Sequence, residues 1–118
     1  MQRFSFDTDV AFEPRAETLL EQVTVAPLTR PVHEGSSIQA AIFRIAPGGR
    51  IARHPAGLPQ ILAVLEGAGE VSGASGVAEP IAAGEAVYWP EGEEHETTSA
   101  TGLTALILEG DGLVPHQQ

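Results

Sequence analysis

Glycine and proline interrupt this chain too often for it to hold a layered α/β fold. There are 13 glycines and 9 prolines in 118 residues. From Pro47 to Pro115 one or the other recurs at short intervals. The pieces between them are short, apolar and rich in β-branched residues, which is the composition of strands. A parallel sheet needs crossovers of about a dozen residues or more, usually helical. No such piece remains between the strands, so the chain reads as all-β, an antiparallel sandwich or barrel. Closing the sheet on itself also removes the exposed edges that invite aggregation.

The strands can be placed. Ser37–Ile45 is one, ending at a turn at Pro47-Gly48-Gly49. Gln60–Glu66 is mostly apolar on both faces and is broken by Gly67-Ala68-Gly69, after which Glu70–Ser72 forms its neighbour. Gly73-Ala74-Ser75-Gly76 has the composition of a hairpin tip. Ala78–Ile81, Ala86–Trp89, His95–Thr98 and Leu103–Glu109 follow, with turns at Ala83–Glu85 and Pro90–Gly92. The total is roughly eight short strands. Before Arg30 the reading divides. Ala16–Gln22 fits a helical turn or two, whereas Gln22–Val25 fits a strand, and Pro14 and Pro27 confine either one. One domain is expected at this length: an N-terminal arm over residues 1–30, a barrel over 31–110 and a frayed tail over 111–118.

Composition removes whole classes of chemistry. Without cysteine there is no disulfide, thiolate nucleophile or cysteine-held metal cluster. All six basic residues are arginine, so a Schiff-base lysine and a P-loop lysine are excluded. The formal net charge of -10 repels nucleic acid and anionic lipid, and no basic cluster offsets it. Nucleic acid is therefore not an expected partner. Neither is a membrane, since no apolar run reaches the ~20 residues of a span. The first ten residues do not read as a signal peptide, and the expected location is the cytoplasm.

Several side chains bear on function. Gln60, Leu62 and Val64 alternate on one face of their strand. If that face is the interior, Gln60 is a buried amide, and leaving it unpaired costs about 1–3 kcal/mol. Tyr88 and Trp89 are neighbours, so one of them faces inward, for core packing or for stacking on a ligand. Arg44 would clamp a carboxylate substrate if it faced inward. His33 falls in a loop before the first barrel strand, where it is most simply a solvated residue or else lines the pocket mouth. Glu93 and Glu94 belong to an acidic run that is most simply a solvated face, yet from the turn they reach the rim as a base or an extra ligand.

Two segments resemble the paired motifs of the cupin superfamily. Gly84, Pro90, Gly92 and His95 stand at the spacings of the second motif, with Ser99 where the family has asparagine. Gly48, His54 and Gly67 match the first motif, but Ala56 occupies the second histidine position and Gln60 the glutamate position. The resemblance covers Ser37–Glu109. It implies a jelly-roll barrel, often dimeric, with a metal held inside by the motif residues.

On that resemblance the site is His54, His95 and the amide oxygen of Gln60. The ion would be a divalent transition metal (Zn, Ni, Cu, Fe or Mn). Three neutral donors hold such an ion less tightly than a set with a carboxylate, and Ala56 leaves a coordination position open to water or substrate. Three readings follow. The first is a metal-dependent oxygenase, isomerase or lyase acting on a small organic molecule. The second is a metal-free barrel that binds a small ligand through a hydrogen-bonded His54–Gln60–His95 cluster. The third is a homo-oligomer without site chemistry. A homodimer and a small-molecule ligand are the expected partners.

Overall fold

The computed structural model describes residues 1–14, 19–29 and 38–116. Seven strands lie among them: β1 (Leu20–Pro27), β2 (Ile38–Pro55), β3 (Gln60–Ser72), β4 (Glu79–Ala82), β5 (Ala86–Trp89), β6 (Glu94–Ser99) and β7 (Leu103–Gly110). Every pairing is antiparallel. The fold is all-β, as the chain's punctuation predicts, and is the jelly-roll barrel that the motif resemblance implies.

Two long strands build it, each serving two sheets. The first half of β2, Ile38–Ile45, pairs with β7, while Gly49–Pro55 pairs with β6. Likewise Gln60–Gly67 of β3 pairs with β7 and Glu70–Ser72 with β6. Thus β7 lies between the first halves of the long strands and β6 between their second halves. β5 extends the first sheet from β3, β4 extends the second, and β1 runs along both halves of β2.

This architecture corrects two expectations. Pro47-Gly48-Gly49 is not a turn and Gly67-Ala68-Gly69 is not a break. Both are bends inside a continuing strand; the first lengthens β2, and the second joins two expected strands into β3, so seven strands are found among the described residues where about eight were expected. Gly48 (φ 84°) and Gly67 (φ 80°) are left-handed at those bends, a conformation open to glycine at little cost. At Gly67 the approach is also close, because a Cβ there would run into the carbonyl oxygen of Gly102. The other punctuation marks behave as turns. The Gly73–Gly76 tip closes with a Gly76 N–H bond to the Gly73 carbonyl at 3.0 Å. Of the divided N-terminal reading, the strand is what forms, from Leu20. Residues 16–18 of the helical alternative lie outside the described residues.

The core lies between the two sheets. Val23, Val25, Ile45, Ile51, Leu62, Val64, Val71, Ile81, Trp89, Leu103, Ala105 and Ile107 form one cluster, with Phe43 packed against it. On β7 the inward row is Leu103, Ala105 and Ile107, and on β3 it is Gln60, Leu62 and Val64. None of the described helices is long and apolar enough to cross a membrane.

The bends can be tested by substitution. Gly67→Ala should cost more than ~2 kcal/mol, because left-handed strain adds to a backbone clash. Gly76→Ala has the same sign of φ with open space around it and should cost only about 1 kcal/mol. Urea unfolding of both variants checks the order. Equal losses would mean that the Gly67 approach to Gly102 is not a constraint.

Candidate functional site

The two motif segments are laced together by their backbones. The Ala56 N–H donates to the Glu93 carbonyl at 3.0 Å, and the Gly92 N–H donates to the Ala56 carbonyl at 2.7 Å. Gly92 (φ 86°) makes the turn that allows this. A register shift between Ile51 and His54 then sets the histidines. Ile51 pairs with Thr97 and His54 with His95, so β2 carries one residue more than β6. Such a bulge changes which residues share a face. It turns His54 inward beside Ile51 and sends Arg53 out to the Ser72 hydroxyl and the Gly73 carbonyl.

His54 and His95 therefore face each other, ring centroids 4.3 Å apart and planes tilted by 52°. Trp89 also stacks on His95, at 4.3 Å and 26°. Both imidazoles are tethered in the same way. His54 Nδ1 is 2.7 Å from the Ala52 carbonyl and His95 Nδ1 is 3.0 Å from the Glu93 carbonyl. A carbonyl only accepts, so each Nδ1 carries the proton and each Nε2 offers a lone pair. His95 Nε2 is buried and has no hydrogen-bond partner among the described residues. Burial lowers the His95 pKa and the neighbouring His54 adds to this, against the raising influence of the Glu93 carbonyl and of the Glu109 and Glu93 carboxylates.

Gln60 completes the row. It pairs with Trp89 on one side and with Glu109 on the other. Its Nε2 donates to a Glu109 carboxylate oxygen at 2.6 Å. Because a carboxylate accepts, this bond orients the amide and turns its oxygen away from Glu109. Glu109 was not foreseen. Its signal was the alternation Leu103, Ala105, Ile107, which puts residue 109 on the inward face at the end of the strand. Glu109 also lines a small cavity of about 50 Å³ with Gln39, Phe43 and Ile107.

The other candidates lie elsewhere. Trp89 faces in, whereas Tyr88 is half-buried and points the other way. Phe43 and Ile45 face the core, so Arg44 between them lies on the opposite face of β2. There it bonds the Phe6 carbonyl at 3.2 Å. Glu93 caps the Ala74 N–H at 2.8 Å and Glu94 is exposed. Ala56 is buried against the second motif. His33 lies outside the described residues.

The cupin domain family matches residues 41–110. The chain belongs to that family. Solved structures with this barrel include the polyketide cyclase RemF from Streptomyces resistomycificus. It is 21% identical, with 98% of this chain and 88% of that one covered and a TM-score of 0.78. A cupin-like protein from Thermotoga maritima is 19% identical over 90% of this chain and 82% of its own, with a TM-score of 0.77. A predicted oxalate decarboxylase from the same organism is 25% identical over 75% and 79%, with a TM-score of 0.68. No curated protein matches. In this cupin domain the two motifs meet as a row running Glu109, Gln60, Trp89, His95, His54.

The buried His95 makes stability depend on pH. Its folded pKa is below the ordinary value of 6.5, so between the two values the unfolded chain binds more protons. Stability then rises with pH through that window. The contribution is full above about pH 6.5 and is lost as pH falls through the folded value. Thermal melts with chelator present should show Tm falling below about pH 6.5, and His95→Phe should flatten that limb. An unchanged limb in the variant would assign it to other groups.

Proposed function

We propose that this cupin domain binds a divalent transition metal at His54, His95 and the Gln60 amide oxygen and acts on a small organic molecule. The observation that carries the proposal is the pair of imidazoles with Nδ1–H tethered to carbonyls, one of which ends in a buried Nε2 lone pair without a partner among the described residues. Tethering of this kind orients histidines that ligate metals. The donor set fits a transition ion that accepts nitrogen and neutral oxygen. A metal bound there supplies a Lewis acid. The chain's own residues do the rest. Trp89 packs the His95 ring and Glu109 orients the Gln60 amide, and on this reading the Glu109 carboxylate would take or return a proton. The same barrel serves a polyketide cyclase and a predicted oxalate decarboxylase, which supports small-molecule chemistry in an oxygenase, isomerase or lyase class. A cytoplasmic homodimer belongs to this reading, and the exposed Phe4, Phe6 and Phe12 are an apolar surface that a second copy would cover.

A second reading has its own support. Among the described residues no three His, Asp or Glu side chains are grouped to hold a metal. In a metal-free cupin, His95 Nε2 accepts a hydrogen bond from a small ligand and Gln60 supplies its oxygen as a further acceptor.

Two measurements separate these. Elemental analysis of untagged protein purified without added metal should find a transition metal near one per chain, and His95→Ala should remove it. Absence of metal there, together with no binding on titration, rejects the metal reading. Gln60→Glu should lower Tm in chelator, because a second carboxylate then faces Glu109. It should also tighten the metal by about tenfold or more, since that carboxylate adds negative charge to a neutral donor set. A metal-free site predicts the first effect without the second.

A further inference from the structure

On the outer face of β2, away from the histidines, lies a groove of about 550 Å³ whose lining includes Glu13, Gln22, Thr24, Arg44, Glu66 and Thr104. Sites for small molecules have volumes of about 300–1,000 Å³. A cavity of about 320 Å³ between Arg44 and the Phe4–Asp7 segment adjoins the same guanidinium. Arg44 Nη2 donates to the Phe6 carbonyl, but Nη1 is shielded from solvent and has no partner among the described residues. An unpaired buried charged donor costs about 1–3 kcal/mol or more. Thr24 and Thr104 pair with Arg44 from the two adjacent strands, so a hydroxyl-bearing residue stands on each side of it. Gln22 is held at φ 55° in the bulge between Glu21 and Val23. A non-glycine residue there stores about 1–3 kcal/mol of strain. The charges are also left apart. Arg44, Glu13 and Glu66 line one space, yet among the described residues the ion pairs are those of Arg50 with Glu21 and Glu96.

We infer that this groove binds a small zwitterion with the charge separation of a free amino acid. Its carboxylate takes the Arg44 guanidinium and the flanking threonine hydroxyls, and its ammonium takes Glu13 and Glu66. Charge balance selects this class. A simple anion meets two carboxylates in a protein of net charge -10, and a simple cation leaves Arg44 unpaired. A zwitterion answers both signs. The groove and the barrel site lie on opposite faces of β2, so each stands or falls alone.

Titration of the ¹⁵N-labelled full chain with free amino acids, and with butyrate and butylamine as singly charged analogues, tests this. At least one amino acid should shift the amide signals of Thr24, Arg44, Glu66 and Thr104 with a Kd of about millimolar or tighter. The singly charged analogues should bind about tenfold weaker or worse, and Arg44→Gln and Glu66→Gln should each weaken the amino acid by about tenfold to a hundredfold. Glu66 is exposed, so its variant decides the matter should Arg44→Gln fail to fold. The inference is overturned if no amino acid shifts these signals, if butyrate binds equally well, or if Glu66→Gln leaves affinity unchanged.

Discussion

Everything in this barrel depends on two strands bending without breaking. A strand that stays in one sheet covers one side of a core, whereas a strand that changes partners midway closes the core on itself. β2 and β3 both exchange β7 for β6 at a left-handed glycine. At Gly67 the constraint is double. The backbone needs positive φ, and the Gly102 carbonyl occupies the place where a side chain would begin. The loop before β7 is thereby pressed onto the bend of β3, and β7 starts in register with both long strands.

The site inherits its geometry from that frame through one extra residue. Without the shift between Ile51 and His54, alternation from the inward Ile51 would turn Arg53 inward and His54 out. The lacing of Ala56 to Gly92 and Glu93 holds the second motif at the same level. The two imidazoles thus meet because their backbones are bonded, and each ring is oriented because its Nδ1–H is bound to the carbonyl two residues earlier. Orientation of this kind needs no bound group, and its cost is a His95 Nε2 unpartnered among the described residues.

How much of this could be read beforehand follows from what each signal encodes. Strand positions and true turns were legible, since period-two patterning and turn residues are local properties. His54, Gln60 and His95 could be picked out because the motif spacing survives with Ala56 and Gln60 standing where the family has histidine and glutamate. The bends were misread as ends. A glycine pair marks a change in backbone direction, but whether the strand continues depends on partners distant in sequence. Arg44 could not be assigned a face for the same reason. Its parity is set by Phe43 and Ile45 against a core that only the pairing with β7 and β1 defines.

Glu109 shows how a reduced motif can keep its electrostatics. A glutamate at position 60 would put a negative charge beside the histidines. With glutamine there, the nearest carboxylate on that side comes from the neighbouring strand, one hydrogen bond further out. The amide passes on part of that charge, since a donor bonded to a carboxylate has a more negative oxygen. Gln60 thus presents an acceptor stronger than an isolated amide yet carries no net charge into the barrel. For a metal this means weaker holding and an easier exchange of ligands; for a neutral organic ligand it means a strong acceptor without a desolvated anion. A pair of a glutamine and a carboxylate on adjacent strands therefore serves either occupant, and the choice rests on what the two Nε2 lone pairs receive.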